Sequence, residues 1–281
     1  MNIHQTLEAL GVRPSKRRGQ NFLFQDSAAQ RIVSFADIPI EAPVLEVGPG
    51  LGALTKHLLA ASGKLHLVEV EEKFCQYLIS QFEGLSQSQI TNADILSLDI
   101  QLLKKKLDCE KIVFVSNAPY SISTDIVLWI LENREHIGQA TLLLQRQFAE
   151  RLAADSGTGE YGSLSVSAQL FFDLSLGPVF SGNIFHPSAE VESRLIKMIP
   201  LGNPRFEIPN HKLFERIVRA AFSHRRKTLI NSFDASSFGL DKEQLRAAFK
   251  QCGIDEKCRA ETLSIKQFAE LSVAIDSLFP S

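Results

Sequence analysis

The chain has 281 residues, enough for two unequal domains, and its 44% hydrophobic and 22% charged content is that of a globular protein with a full-sized core. No apolar run approaches the roughly 20 residues of a membrane span, and the N-terminal stretch to Gln20 carries Glu8 and no apolar segment, so no leader and no membrane association are expected and the protein is expected in the cytoplasm. A net charge of −2 and a pI near 6.4 exclude a broadly basic nucleic-acid binder, leaving only local cationic surface for such a role.

Short apolar runs alternate with helix-length amphipathic segments through the first two thirds of the chain. Strands are expected over 43–48, 64–70, 89–95, 111–117 and 139–145, with helices such as "LTKHLLAAS" and "STDIVLWILENR" between them. That alternation specifies an α/β fold with a parallel sheet covered on both faces. Paired strand-like runs in "DLSLGPVFSGNIFHPSAEVESRLIKMIPL" then indicate an antiparallel edge hairpin. After the turn-rich "GNPRFEIPN" only helical patterns remain, so the expected domains are 1–204, α/β, and 205–281, small and all-α. Trp129, in the continuously apolar "IVLWILE", is expected in the core. Cys75, Cys109, Cys252 and Cys258 match no zinc or redox spacing and the histidines form no ligand pattern, so isolated thiols and no metal are expected.

Gly48, Gly50 and Gly52 follow the first strand of the sheet and open a helix, where a backbone without Cβ atoms can turn sharply and present N–H groups to a ligand. The string fits G-x-G-x-G, and with Ala53 it also fits the dinucleotide fingerprint, so this loop alone suits NAD or S-adenosylmethionine. Glu69 ends the next strand, placed to accept bonds from ribose hydroxyls, and Asp94 follows the third, placed to receive an exocyclic adenine amino group; a turn or helix cap is the plainer role for Asp94. The fourth strand delivers Asn117-Ala118-Pro119-Tyr120 to the same edge, with no nucleophile and no metal ligand among them.

Such a loop acts by hydrogen bonding and stacking. The amino group of adenine is a poor nucleophile because its lone pair is delocalised into the ring. The Asn117 amide oxygen and the Ala118 carbonyl can accept its two N–H bonds in a non-planar arrangement that restores lone-pair character. Pro119 fixes φ and biases Ala118 towards an extended conformation, and Tyr120 offers a face for the base. Taken with the glycine loop and Asp94, this favours a methyl donor over NAD.

The chain resembles the KsgA family of ribosomal RNA adenine dimethyltransferases, in "GQNFL" (19–23), "LEVGPGLGALT" (45–55), "SNAPYSIS" (116–123), "LLLQRQFAERLAA" (142–154), "YGSLSVSAQ" (161–169), "AAFSHRRKTLINS" (220–232) and "ETLSIKQFAEL" (261–271). The resemblance implies a Rossmann-like, S-adenosylmethionine-dependent enzyme that dimethylates N6 of two adjacent adenosines in the 3′-terminal hairpin of small-subunit, 16S-type rRNA, with a helical RNA-binding domain. It implies cofactor contacts at Asn21, Leu23, Gly48, Glu69, Asp94 and Asn117, and an aromatic opposite Tyr120 at Phe185. A monomer whose partner is the small ribosomal subunit is expected. Two departures stand out. Ala118 replaces the usual leucine but keeps the carbonyl, and Ala189, Glu190 and Glu192 depart from F-x-P-x-P-K-V-D-S, reversing a charge near the expected base pocket at Glu190. Competing readings are the antibiotic-resistance enzymes that methylate large-subunit rRNA and a non-catalytic RNA-binding assembly or transcription factor on this fold.

Two basic segments are candidates for RNA contact. Lys16, Arg17 and Arg18 precede the "GQNFL" stretch, whereas Lys104, Lys105 and Lys106 read as a solvated helix face. In "FERIVRAAFSHRRKTLINSF", helical periodicity puts Arg216, Arg219, Ser223, Arg226 and Lys227 on one face and Phe214, Ile217, Val218, Ala221, Phe222 and Leu229 on the other. Arg225 then falls within the apolar arc, so the helix is expected either to bend there or to bury this guanidinium against an acceptor.

Overall fold

In the computed structural model the described residues are 3–14, 19–233 and 235–278. The first segment holds helix α1 (Ile3–Ala9), strand β1 (Phe22–Leu23) and α2 (Asp26–Ala36). Alternation then sets in with β2 (Val44–Val47), α3 (Thr55–Ala61), β3 (Leu65–Glu69), α4 (Glu72–Gln81), β4 (Ile90–Asn92), α5 (Ile100–Leu107), β5 (Ile112–Asn117), α6 (Ser123–Glu132) and β6 (Ile137–Gln145). Next come α7 (Arg146–Leu152), α8 (Ser163–Phe171), β7 (Phe172–Phe180), β8 (Phe185–His186) and β9 (Ser193–Pro200). Helices α9 (His211–Phe222), α10 (Leu229–Ser232), α11 (Lys242–Gln251) and α12 (Ile265–Asp276) follow.

The main sheet has the order β4-β3-β2-β5-β6-β9-β7, and its first five strands are parallel. Strands β2 and β3 are buried along their whole length, as continuous apolar runs covered on both faces must be. Strand β9 runs antiparallel to β6, with Gln145 opposite Ser193, and β7 lies beyond it as the edge. The five expected parallel strands and the edge hairpin are all present. Trp129 is buried at 5% exposure with its ring 5.9 Å from Phe114. His66, fully buried on β3, bonds Thr91 Oγ1 at 2.8 Å, and burial pushes its imidazole down to about 4, so it is a neutral core residue.

A second, two-stranded sheet was not expected. It pairs β1 with β8 antiparallel, Phe22 opposite His186 and Leu23 opposite Phe185. Two-residue strands leave no periodic signal in a sequence.

By packing, the chain divides into Met1–Ala149 with Leu174–Pro200, and Glu150–Asp173 with Leu201–Ser281. The expected division at 204/205 placed Glu150–Asp173 with the sheet. Helix α8 instead packs on α9 and α12, and Arg205 pairs with Asp173 at 3.7 Å within the second unit. Local pattern does not show which core this segment joins.

The second unit also corrects the long amphipathic helix. Helix α9 ends at Phe222, and Ser223–Lys227 form turns before α10. Arg225 therefore leaves the apolar arc, and its Nη2 donates to the carbonyls of Gly159 and of Tyr161, the latter at 3.2 Å. Of the two expectations the break is the one realised: Arg225 is exposed rather than buried, and its guanidinium reaches these carbonyls from the surface. The apolar face is as expected, with Phe214, Ile217, Val218, Ala221 and Leu229 at 1% exposure or less. Arg216 is held by the Ser237 carbonyl at 2.6 Å and lies over Phe238, whereas Arg219, Arg226 and Lys227 are exposed. Because of the break, Arg226 and Lys227 do not continue the helical face that carries Arg219. Lys16, Arg17 and Arg18 lie outside the described residues.

Replacing Arg225 by alanine is expected to lower stability by about 1–2 kcal/mol, the net worth of hydrogen bonds from a cation to carbonyls left without their donor. Urea unfolding of the whole chain measures this, and an unshifted midpoint would show that the anchor contributes nothing.

Candidate methyl-transfer site

The C-terminal ends of β2, β3, β4 and β5 open on one cleft of about 330 Å³ whose wall includes Asn21, Leu23, Gly48, Gly50, Glu69, Asp94, Asn117, Ala118, Pro119, Tyr120 and Phe185. In a parallel sheet whose order reverses between β2 and β5, this is where adjacent loops separate and leave room for a ligand. The cofactor- and base-binding candidates from the sequence are thus brought together, while Lys16, Arg17 and Arg18 lie outside the described residues. Arg219, Arg226 and Lys227 belong to the other unit.

The glycine loop is shaped by its neighbours. Gly48, Gly50 and Gly52 all have positive φ, at 67°, 55° and 82°. At Gly52 a Cβ would also run into the Phe82 ring and Leu78, so the position is closed to larger residues on two counts. The Gly50 N–H donates to Glu69 Oε2 at 3.1 Å, while Glu69 Oε1 accepts from the Glu71 N–H at 3.0 Å. Glu69 is 5% exposed, and burial raises its carboxyl above the usual range against the pull of these backbone donors. Its backbone carbonyl in turn accepts from Asn92 Nδ2 at 2.8 Å and from the Ala93 N–H at 3.1 Å, tying β4 to the same point.

Asp94 does cap a turn, its Oδ1 accepting from the Leu96 N–H at 3.0 Å, yet it remains exposed at the cleft wall. The cap leaves acceptor capacity free at the cleft wall, because a carboxylate can accept more than one N–H.

Glu46 was missed by the sequence reading. It is 1% exposed on β2, lines the cleft, and its Oε2 accepts from Thr55 Oγ1 at 2.7 Å. Burial, aided by the nearby Glu69 carboxylate, pushes its carboxyl up to about 8. The available signal was a lone acidic residue inside an otherwise apolar strand.

The loop after β5 is fixed from several sides. Ser116 Oγ donates to the Val47 carbonyl at 2.7 Å, coupling it to the glycine loop. Asn117 Nδ2 donates to the Asn21 carbonyl at 3.5 Å, which turns its Oδ1 away from that partner as an acceptor. Pro119 has φ −56°, close to the value expected of its ring, and its carbonyl accepts from the Ile122 N–H at 3.1 Å and from Ser123 Oγ at 3.2 Å. Gly19 packs so closely on this loop that a Cβ would lie 3.0 Å from the Ser121 nitrogen. Tyr120 is half-buried and its hydroxyl meets Ser193 Oγ at 2.7 Å. Phe185 reaches the cleft wall at only 3% exposure, packed in a core that includes Leu23, Ala28 and Ile184.

The surroundings suit an adenosine-bearing methyl donor: a glycine loop with an acidic residue after the next strand, a second acidic residue at the wall, and apolar surface between. Among the described residues no group of three His, Cys, Asp or Glu side chains is placed to hold a metal ion, and no helix is long and apolar enough to cross a membrane.

A doubly covered, mostly parallel sheet with a glycine loop and the Asn117–Tyr120 loop on its ligand-binding edge defines the class of enzymes that bind a nucleotide-type cofactor at that edge. Comparison with known proteins narrows the class. The family model described as ribosomal RNA adenine dimethylase matches residues 13–277, and the chain belongs to that family. It is 38% identical over 268 residues to ribosomal RNA small subunit methyltransferase A of Geobacter metallireducens, covering 95% of this chain and 98% of the relative. The protein of the same name from Clostridium botulinum is 35% identical over 275 residues, 98% of each chain. Among solved structures, the 23S rRNA methyltransferase ErmE superposes with a TM-score of 0.67 at 25% identity, covering 91% of this chain and all (100%) of that one. A dimethyladenosine transferase from Plasmodium falciparum gives 0.75 at 22% identity, covering 91% and 98%, a likeness of fold.

The raised Glu46 carboxyl makes stability depend on pH. Unfolded, the group releases its proton near the ordinary 4.5, whereas folded it keeps it until about 8. Between those values the native state binds the extra proton, so stability falls as pH rises, by up to about 1.4 kcal/mol per unit from this group. Glu46→Gln keeps an oxygen for Thr55 and removes the titration. Urea unfolding at pH 6, 7 and 8 is expected to show a flatter slope for the variant than for the wild type. Parallel slopes would contradict the assignment.

Proposed function

We propose that this protein transfers methyl groups from S-adenosylmethionine to N6 of two adjacent adenosines in the 3′-terminal hairpin of small-subunit rRNA, as part of small-subunit maturation. Family membership and the names of the relatives support the reaction class. The observation that carries the reading to particular residues is the Asn117 amide, whose Nδ2 is engaged by the Asn21 carbonyl so that Oδ1 is the atom offered to a target amino group.

When bound, S-adenosylmethionine supplies an electrophilic methyl group on a sulfonium, which needs no metal and no strong base. Glu69 would hold the ribose hydroxyls, Asp94 the adenine amino group, and the N–H groups around Gly48 and Gly50, with Asn21 and Leu23, the remainder of the donor. Asn117 Oδ1 and the Ala118 carbonyl would accept the two N–H bonds of the target amino group, drawing its lone pair out of the ring. Tyr120 and Phe185 would grip the base, and the protein's contribution would be position and electrostatics. Arg219, Arg226 and Lys227, with Lys16, Arg17 and Arg18, would contact phosphates, fixing orientation rather than sequence. A monomer acting in the cytoplasm on assembling small subunits completes the reading.

Incubation with labelled methyl donor and, separately, immature small subunits, large subunits and DNA tests this reading. Label is expected only in small-subunit rRNA, as N6,N6-dimethyladenosine. Label in large-subunit rRNA instead would favour the activity named for ErmE, and label in none would overturn the reading. Asn117→Ala is expected to reduce transfer by about 100-fold or more, the scale of losing one group aimed at the reacting centre, with affinity for the small subunit nearly unchanged.

A further inference from the structure

We propose that Ser193 is a positioning residue for methyl transfer: its hydroxyl pins the tip of Tyr120 and so sets the place of the ring face relative to the Asn117 acceptor. This rests on the reading of the cleft as an adenine-methylating site.

Tyr120 Oη and Ser193 Oγ are 2.7 Å apart. The phenolic oxygen lies on the axis about which the ring flips, so flipping leaves this bond intact, whereas any swing of the side chain about χ1 breaks it. The anchor itself is rigid. Ser193 is fully buried, begins β9, and sits opposite Gln145 of β6. Its neighbour Glu192 is clamped twice by Arg146, whose N–H donates to the Glu192 carbonyl at 2.9 Å and whose Nη1 meets Oε2 at 2.7 Å. The opposite edge of β6 pairs with β5 as far as Asn117, which faces Leu143.

The loop that begins at Asn117 is therefore attached to β5 through its backbone and to β9, two strands away, through the tip of Tyr120. The register of three strands determines the separation of acceptor and stacking face. Burial raises the phenol above its ordinary range, so the group is a neutral hydroxyl able to share this bond at neutral pH. A site that adds two methyl groups to one nitrogen must hold the base while its amino group grows. A ring free to swing would release it after the first transfer.

The test uses Ser193→Ala, Tyr120→Phe, their combination and Ser193→Thr on immature small subunits. Each single loss of the bond is expected to lower kcat about 3- to 10-fold, the rate equivalent of one net hydrogen bond, and to raise the monomethyladenosine fraction. KM for the subunit and affinity for S-adenosylmethionine should hold. The double variant should be no worse than either single one, and threonine should restore most of the rate. A second readout is independent of turnover: with only three tyrosines in the chain, the Cζ resonance of Tyr120 can be assigned by its loss in Tyr120→Phe, and Ser193→Ala should move it alone. An unmoved resonance, additive losses, or a wild-type ratio of mono- to dimethylated product would overturn the proposal. A parent enzyme that methylates nothing would instead overturn the functional reading, an outcome distinct from unaffected variants of an active parent.

Discussion

The site depends on one buried carboxylate and the two backbone N–H groups it accepts. Glu69 reaches from the end of β3 to Gly50 on one side and to Glu71 on the other, while its own carbonyl gathers Asn92 and Ala93. Two strand ends, those of β3 and β4, and the glycine loop thereby share one anchor. Its cost is desolvation of a charge, visible in the raised carboxyl, and two N–H donors together with a side of the cleft open to solvent offset that cost. Behind it, Glu46 meets Thr55 as a mostly protonated acid at neutral pH, which avoids two ionised carboxylates in adjacent buried positions.

Sheet order turns this local anchor into a site. Because β2 lies between β3 and β5, the loop bearing Asn117 emerges beside the glycine loop, and Ser116 joins the two through Val47. The antiparallel β9 then returns to the same edge with Ser193, and the small β1–β8 sheet brings Phe185 up against Leu23. Segments far apart in sequence, 19–23, 48–51, 117–120 and the stretch from Phe185 to Ser193, converge here through backbone pairing and side-chain hydrogen bonds.

Legibility in the sequence follows the range of each interaction. Four of the five parallel strands were legible because strands buried along nearly their whole length read as mostly apolar runs bounded by turn residues, whereas the short, partly exposed β4 was legible from its place in the alternation; the Asn117 loop was legible because Asn, Pro and Tyr follow such a run directly. Asp94 was legible as a turn cap and as a residue of the strand-end edge where the cleft opens. The β1–β8 pairing was not, since two residues carry no period. The end of α9 at Phe222 was signalled only by Arg225 falling in the apolar arc, and the carbonyls that receive it, on Gly159 and Tyr161, lie more than sixty positions away. The place of α8 depends on surfaces of α9 and α12 that the local pattern of "YGSLSVSAQ" does not encode. Glu46, within "VLEVG", was not legible as a cleft residue, because its partner Thr55 lies in the following helix and no local pattern shows which face of a doubly covered strand borders a cavity.

Whether the cleft built around Glu69 receives a methyl donor rather than a dinucleotide is decided by calorimetric titration of the intact chain. Saturable binding of S-adenosylmethionine and of S-adenosylhomocysteine, with no heat from NAD, is the predicted result. Binding of NAD with no response to either sulfur compound would contradict it.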